Sequence, residues 1–183
     1  YGTKLAVNAS VAYALDTTRL GAADDTTRRL GYTSTIFGMG ERRYFQDINV
    51  ELRKKLSPTW ELALTYLNLA YDIDIIQGKP GKPGAYADIV ILEGLHNFTD
   101  RTSLRFELQH LSTKQNQGNW ATALAELTFS PHWFIAAMDQ YNYVGNAELE
   151  AEGQDQLHYP IGSVGYIRGG NRFQVNYGRQ RAG

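Results

Sequence analysis

The chain has 183 residues, with 18 basic and 19 acidic side chains, no cysteine, 18 glycines and 12 tyrosines against 7 phenylalanines. A formal charge near zero excludes a broad field for nucleic acid, and the lack of cysteine excludes disulfide frameworks and thiolate chemistry. No apolar run reaches the roughly 18 residues of a transmembrane helix, but a barrel strand needs only about 9–11 residues that are apolar at alternate positions.

In chain order, nine β-prone runs are predicted, at about 3–16, 43–55, 60–72, 85–96, 102–113, 119–129, 133–144, 156–167 and 172–180. Period two is the signal, because it puts alternate residues on opposite faces of a sheet. In the first run Leu5, Val7, Val11, Tyr13 and Leu15 oppose Lys4, Asn8, Ser10 and Asp16. In the second, Tyr44, Ile48, Val50 and Leu52 oppose Arg43, Asp47, Asn49, Glu51 and Arg53. Residues 85–96 are apolar on both parities apart from Asp88 and Glu93. In the fifth run Leu104, Phe106 and Leu108 oppose Ser103, Arg105, Glu107 and Gln109; in the sixth Ala121, Ala123, Ala125, Leu127 and Phe129 oppose Thr122, Glu126 and Thr128. In the last, Phe173, Val175 and Tyr177 oppose Arg172, Gln174 and Asn176.

The connections sort by length. Residues 17–42, 73–84 and 145–155 are long, 114–118 are intermediate, and 56–59, 97–101, 130–132 and 168–171 are short. Two of the short turns share a pattern, Ser57-Pro58-Thr59-Trp60 and Ser130-Pro131-His132-Trp133. Alternation of long or intermediate with short connections fits an antiparallel meander with two distinct rims; a Greek-key sandwich has no reason to sort its loops this way. The predicted fold is therefore all-β, a single domain over residues 1–183, as an antiparallel up-and-down transmembrane β-barrel or an incomplete part of a larger one. Nine is an odd count where bacterial single-chain barrels are even, and the chain opens directly in a strand with no leader visible, so a piece of a larger barrel is expected.

In a membrane barrel the charged parity faces the lumen. Arg43, Asp47, Glu51, Arg53, Arg105, Glu107, Glu126 and Arg172 are the predicted lumen-lining residues. Such mixed signs serve either a water-filled channel or a closed network of pairs. Trp60, Trp120, Trp133, Tyr13, Tyr71, Tyr141 and Tyr143 fall near run ends, where amphipathic rings suit the membrane interface.

Catalysis has no visible constellation, and no enzymatic activity, cofactor or metal site is expected. His96, His110, His132 and His158 are scattered without metal-ligand spacing. Glu148, Glu150, Glu152 and Asp155 form an acidic loop that reads as a solvated surface. The run 78–84, rich in glycine, lysine and proline, lacks the Gly-Lys-Ser/Thr end of a phosphate-binding loop.

Three segments, 44–53, 110–143 and 171–181, resemble an uncharacterised family of outer-membrane barrel proteins from the Bacteroidota. The likeness is sharpest from His110 through Trp120 to Glu126, and in Ser130-Pro131-His132-Trp133-Phe134, Met138 to Tyr143 and Asn176 to Arg181. It covers most of the chain and implies a bacterial outer-membrane location, contact with lipid or lipopolysaccharide, and possible partners among envelope proteins, with no nucleic acid. No substrate or catalytic residue comes with it. It also implies that Asp16-Thr17-Thr18 and Asp25-Thr26-Thr27 match the short motif for O-glycosylation of exported proteins, at Thr17 and Thr26. The expected function is porin-like or small-solute passage. The alternatives are a non-conducting surface or envelope scaffold, and a soluble β-barrel that binds a small hydrophobic ligand.

Overall fold

In a computed structural model, residues 2–13, 43–72, 84–114, 118–144, 151 and 156–179 are described. They form one nine-stranded sheet: β1 Thr3–Tyr13, β2 Arg43–Lys55, β3 Trp60–Tyr71, β4 Ala85–Thr99, β5 Thr102–Thr113, β6 Asn119–Phe129, β7 Trp133–Val144, β8 Leu157–Arg168 and β9 Asn171–Gly178. Each strand pairs antiparallel with its neighbours in sequence, so the spatial order is the chain order. Period-two patterning and short turns thus gave the elements almost residue for residue. The largest departures are that β4 continues to Thr99, and that its turn to β5 is only Asp100 and Arg101. Residues 14–16 of the first predicted run lie outside the described residues.

The two rims are unlike. Residues 56–59, 100–101, 130–132 and 169–170 connect strands at one end, and the strand ends Tyr13, Arg43, Tyr71, Ala85, Thr113, Asn119, Val144 and Leu157 lie at the other. The two Ser-Pro-X-Trp turns are built differently despite their shared sequence. At the first, the Ser57 hydroxyl accepts hydrogen bonds from the Thr59 and Trp60 amides at 3.2 and 3.0 Å. At the second, Ser130–Pro131 is cis, and the Ser130 amide donates to the Arg101 carbonyl at 2.6 Å.

Register fixes which side chains share a face. One cross-strand row is Leu5, Leu52, Leu64, Leu92, Leu108, Ala123, Asp139 and Pro160. A parallel row, nearer the short turns, is Trp60, His96, Leu104, Leu127, Ile135, Val164 and Val175. These belong to an apolar face. The opposite face carries the row Lys4, Arg53, Ala63, Glu93, Glu107, Leu124, Met138, Ile161 and Gly178.

The apolar face is the more exposed one. Along β4, Tyr86, Asp88 and Val90 are exposed while Ala85, Ala87, Ile89 and Ile91 are half-buried; along β8, His158, Pro160, Gly162 and Val164 are exposed while Leu157, Tyr159, Ile161 and Ser163 are half-buried. Among the described residues no second layer covers either face of the sheet, so one face is sheltered only where its own side chains crowd together. Crowding occurs on the concave side. The charged face is therefore concave and the apolar face convex, the reverse of a water-soluble barrel.

Full burial is rare and local. Phe134, 1% exposed, lies flat over Gly165 on the concave face, with the Arg172 guanidinium 3.8 Å from its ring centre. A Cβ at residue 165 would overlap that ring and meet the Phe173 carbonyl at 2.9 Å. Gly165→Ala is expected to cost about 1–3 kcal/mol through overpacking. Gly170→Ala, in the turn where a Cβ meets nothing within 4 Å, should be near neutral. Denaturant midpoints of the two variants check this; equal midpoints would contradict the Phe134–Gly165 packing.

Candidate functional site

The concave face holds a ladder of charges on four adjacent strands. Arg53 on β2 is its hub, reaching Glu51 at 3.1 Å, Glu61 on β3 at 3.1 Å and Glu93 on β4 at 3.3 Å. The reach to Glu93 spans a whole strand. It is possible because the residue between them in the row is Ala63, which leaves room and is itself buried beneath the pair. Arg105 on β5 continues the ladder to Glu93 at 3.4 Å and Glu107 at 2.5 Å, and Gln109 donates to the other oxygen of Glu107. A second cluster lies at the far side of the sheet: Arg172 pairs with Glu126 at 3.3 Å and with Gln174, whose amide donates to Asn176, which in turn accepts from Ser163.

The ladder sets four carboxylates, Glu51, Glu61, Glu93 and Glu107, against two guanidinium groups, Arg53 and Arg105. Most of its side chains keep 32–47% exposure, so water reaches and screens them; Glu107, at 16%, is the most covered. Toward the long-connection rim the concave face changes character, to Leu67, Leu69, Ile89, Ile91 and Leu111. There Trp120 stacks on Tyr159 with centroids 5.9 Å apart.

The structure groups six of the eight predicted lumen residues into the two clusters. Asp47 shares the face but stands apart, between Ser10 and Leu69, with one carboxylate oxygen buried and without a hydrogen-bond partner among the described residues. Arg43 departs. A bulge makes Tyr13 the partner of Arg43 directly after Ala12 has paired with Phe45, so the alternation flips at Tyr44. Arg43 then turns to the apolar face, donating to Gln46 at 2.7 Å and lying 5.6 Å from the Tyr86 ring. Glu61 and Glu93 were missed. Glu93 had been visible as a polar exception in an apolar run, and Glu61 sits one residue from the Trp60 that marks the rim, on the other parity.

The convex face is bordered by two aromatic zones. Near the short turns, Trp60 stacks on His96 at 4.2 Å, Phe98 meets His96 edge-on at 4.5 Å, and Trp133 meets Tyr166 at 5.0 Å. Near the other rim, Tyr141 stacks on His158 at 4.0 Å, His158 pairs with Asp139 at 2.6 Å, and the His110 ring bonds the Tyr143 hydroxyl at 2.5 Å. A polar chain there also joins Gln46 to Asn68, and Asn68 and Tyr66 to Asp88. Apart from Leu56 in a turn and Leu95 on the concave face, the exposed large apolar side chains belong to this convex face or, as with Phe98, pack on it.

Trp60, Trp133, Tyr141 and Tyr143 are thus on the bordered apolar face. Trp120 and Tyr71 are not. Trp120 pairs with Leu111 and Asn142, and Tyr71 with Phe45 and Ala85, in the concave set. Proximity to a rim selected them, whereas parity decides the face. Only the backbone of Tyr13, at the end of β1, is described. Thr17, Thr26 and the acidic residues Glu148, Glu150, Glu152 and Asp155 lie outside the described residues.

The apolar band is slanted. On β1 its centre is near Val7, in the row that runs through Tyr66 to Tyr141 and His158; on β9 its centre is Val175, in the row through Trp60. On β3 these two rows lie six residues apart, from Trp60 to Tyr66. At about 3.4 Å per residue and about 4.8 Å per strand pairing, the drift across the sheet corresponds to a strand tilt of roughly 30°. A tilt of that order is what closing strands into a barrel requires.

Neither the curated proteins nor the solved structures contain a match to this chain. One family model does match, over residues 1–183, and the chain belongs to that family, described as a family of unknown function, DUF6029.

Proposed function

We propose that the nine strands are part of the wall of a bacterial outer-membrane β-barrel whose charged lumen passes small solutes, in the manner of a porin. One observation carries this: an exposed apolar band, aromatic at both borders and slanted across the strands, lies back to back with a sheltered charged face. Along β7 the band runs from Trp133 to the border formed by Asp139 and Tyr141, six to eight residues or about 20–27 Å of strand, near the apolar height of an outer-membrane barrel. Lipid or lipopolysaccharide acyl chains would contact this band, and the short turns would face the periplasm. The soluble barrel with a hydrophobic cargo is disfavoured, because it calls for the apolar residues inside.

A second reading, a non-conducting scaffold, draws on the completeness of the ladder, in which Arg53 is bonded to three carboxylates at once. Fractionation of the native host followed by reconstitution in planar bilayers separates the cases. The expected result is recovery in the outer-membrane fraction and discrete conductance steps. Recovery as a soluble protein would overturn the membrane proposal, and stable insertion with no conductance at any voltage would transfer the function to the scaffold.

A further inference from the structure

The free edges of the sheet constrain how its wall is completed. Eight successive antiparallel pairings connect β1 to β9, and each reverses the strand direction, so β9 runs the same way as β1. If the two edges met, the seam would be parallel in an otherwise antiparallel wall. A ring of two copies about an axis along the membrane normal has the same defect, since it also joins β9 to a β1 of the same sense. A two-fold axis across the sheet would make an antiparallel seam, but it would turn the long connections of one copy to the opposite side of the membrane.

On their outward faces the edge strands are dressed as interior strands, and of the two it is β9 that lacks an edge guard, since β1 carries inward Lys4 and the bulge at Tyr13. Outward Leu5 and Val7 on β1 are 67% and 61% exposed, and Val175 and Tyr177 on β9 are 70% and 90%, against 47% for Leu64 and 48% for Ile135 in the middle of the sheet. The excess is the flank that a neighbouring strand would cover. Free edges are ordinarily guarded by proline, inward lysine or a bulge. β9, Asn171–Gly178, has neither proline nor lysine and pairs with β8 without a register shift. In lipid its unpaired amides and carbonyls would each cost several kcal/mol.

We infer that β1 and β9 flank a gap filled by an odd number of further antiparallel strands of the same polypeptide, which present apolar side chains outward and polar side chains inward. An odd number restores antiparallel pairing at both seams. The same polypeptide is the source because all eight observed pairings join strands adjacent in sequence, the pattern of a wall laid down as one meander. The exclusion of an inverted second copy rests on the membrane proposal above; the direction argument does not.

The test uses the full-length protein in native membranes, with cysteine introduced in pairs. Val7→Cys with Val50→Cys joins register partners on β1 and β2 and is expected to form a disulfide readily. Val7→Cys combined in turn with Phe173→Cys, Val175→Cys or Tyr177→Cys is expected to form none, and spin labels at residues 7 and 175 should report a separation of at least two strand spacings, about 10 Å or more. A disulfide across β1 and β9 within one chain would establish direct closure and overturn the proposal, as would a disulfide-linked dimer. Cross-linking of the β9 cysteine to a different polypeptide would overturn the common source. Failure of the Val7–Val50 pair would contradict the sheet register and take the proposal with it. Recovery of the protein outside the membrane would sink the membrane proposal alone, since the β1–β9 pairs still report on the seam.

Discussion

If the convex face meets lipid, as proposed, Leu64→Arg is expected to destabilise the fold by about 2–4 kcal/mol, while Thr65→Arg, its neighbour in sequence, costs less than about 1 kcal/mol. Leu64 lies on the convex face in a row with Leu52 and Leu92, midway between the Trp60 border and the polar chain that begins at Tyr66 and Asn68. In the proposed membrane setting an arginine there would have to hold its charge in hydrocarbon or stretch to an interface. Thr65 points to the concave face, where Glu51 is its direct partner, so a new guanidinium would find both water and a carboxylate. The contrast is diagnostic because Leu64 is already 47% exposed. If that exposure were to water, replacing Leu64 with arginine would be almost free, as surface substitutions usually are. Unfolding by guanidinium chloride from lipid vesicles, followed by tryptophan fluorescence, measures both variants. Two small effects would deny that the convex face meets lipid, and a larger effect at Thr65 would mean that the faces are reversed.

The strands were legible because their signals are local. Ten or so alternating residues between short turns specify a strand, and sorted loop lengths specify a meander, without reference to anything distant. The face of each side chain was nearly as legible, and parity alone would have placed Trp120 with Thr122 and Glu126 rather than with the interface rings. Arg43 was not legible, since the bulge that turns it depends on how β1 and β2 pair at their ends. Nor was the hub role of Arg53. That role needs Glu61 and Glu93 from two other strands and an alanine between them, a coincidence of register that appears only once the strands are aligned. The slant of the apolar band was hidden for the same reason, because it is a relation among nine strands and a property of none of them.

Removing that hub distinguishes an open from a closed lumen in the proposed barrel. In Arg53→Gln, Glu51, Glu61 and Glu93 lose the cation they share, and Arg105 alone remains against four carboxylates. In a water-filled lumen the side chains keep the exposure seen here, 37% for Arg53 and 32–38% for its three partners, and the loss of screened pairs is expected to cost about 1 kcal/mol. The released carboxylates then act on permeating ions, and the reversal potential across asymmetric KCl should shift toward stronger cation preference. In a dry, blocked lumen the same substitution strands buried carboxylates and would cost about 3–5 kcal/mol, with no current on which to measure selectivity. Adding Glu61→Gln sharpens the comparison. It removes one of the crowded charges, so it should return both stability and selectivity part of the way toward the parent protein. A double variant less stable than Arg53→Gln alone would mean that Glu61 has a partner other than Arg53, and that the ladder is not the electrostatic unit described here.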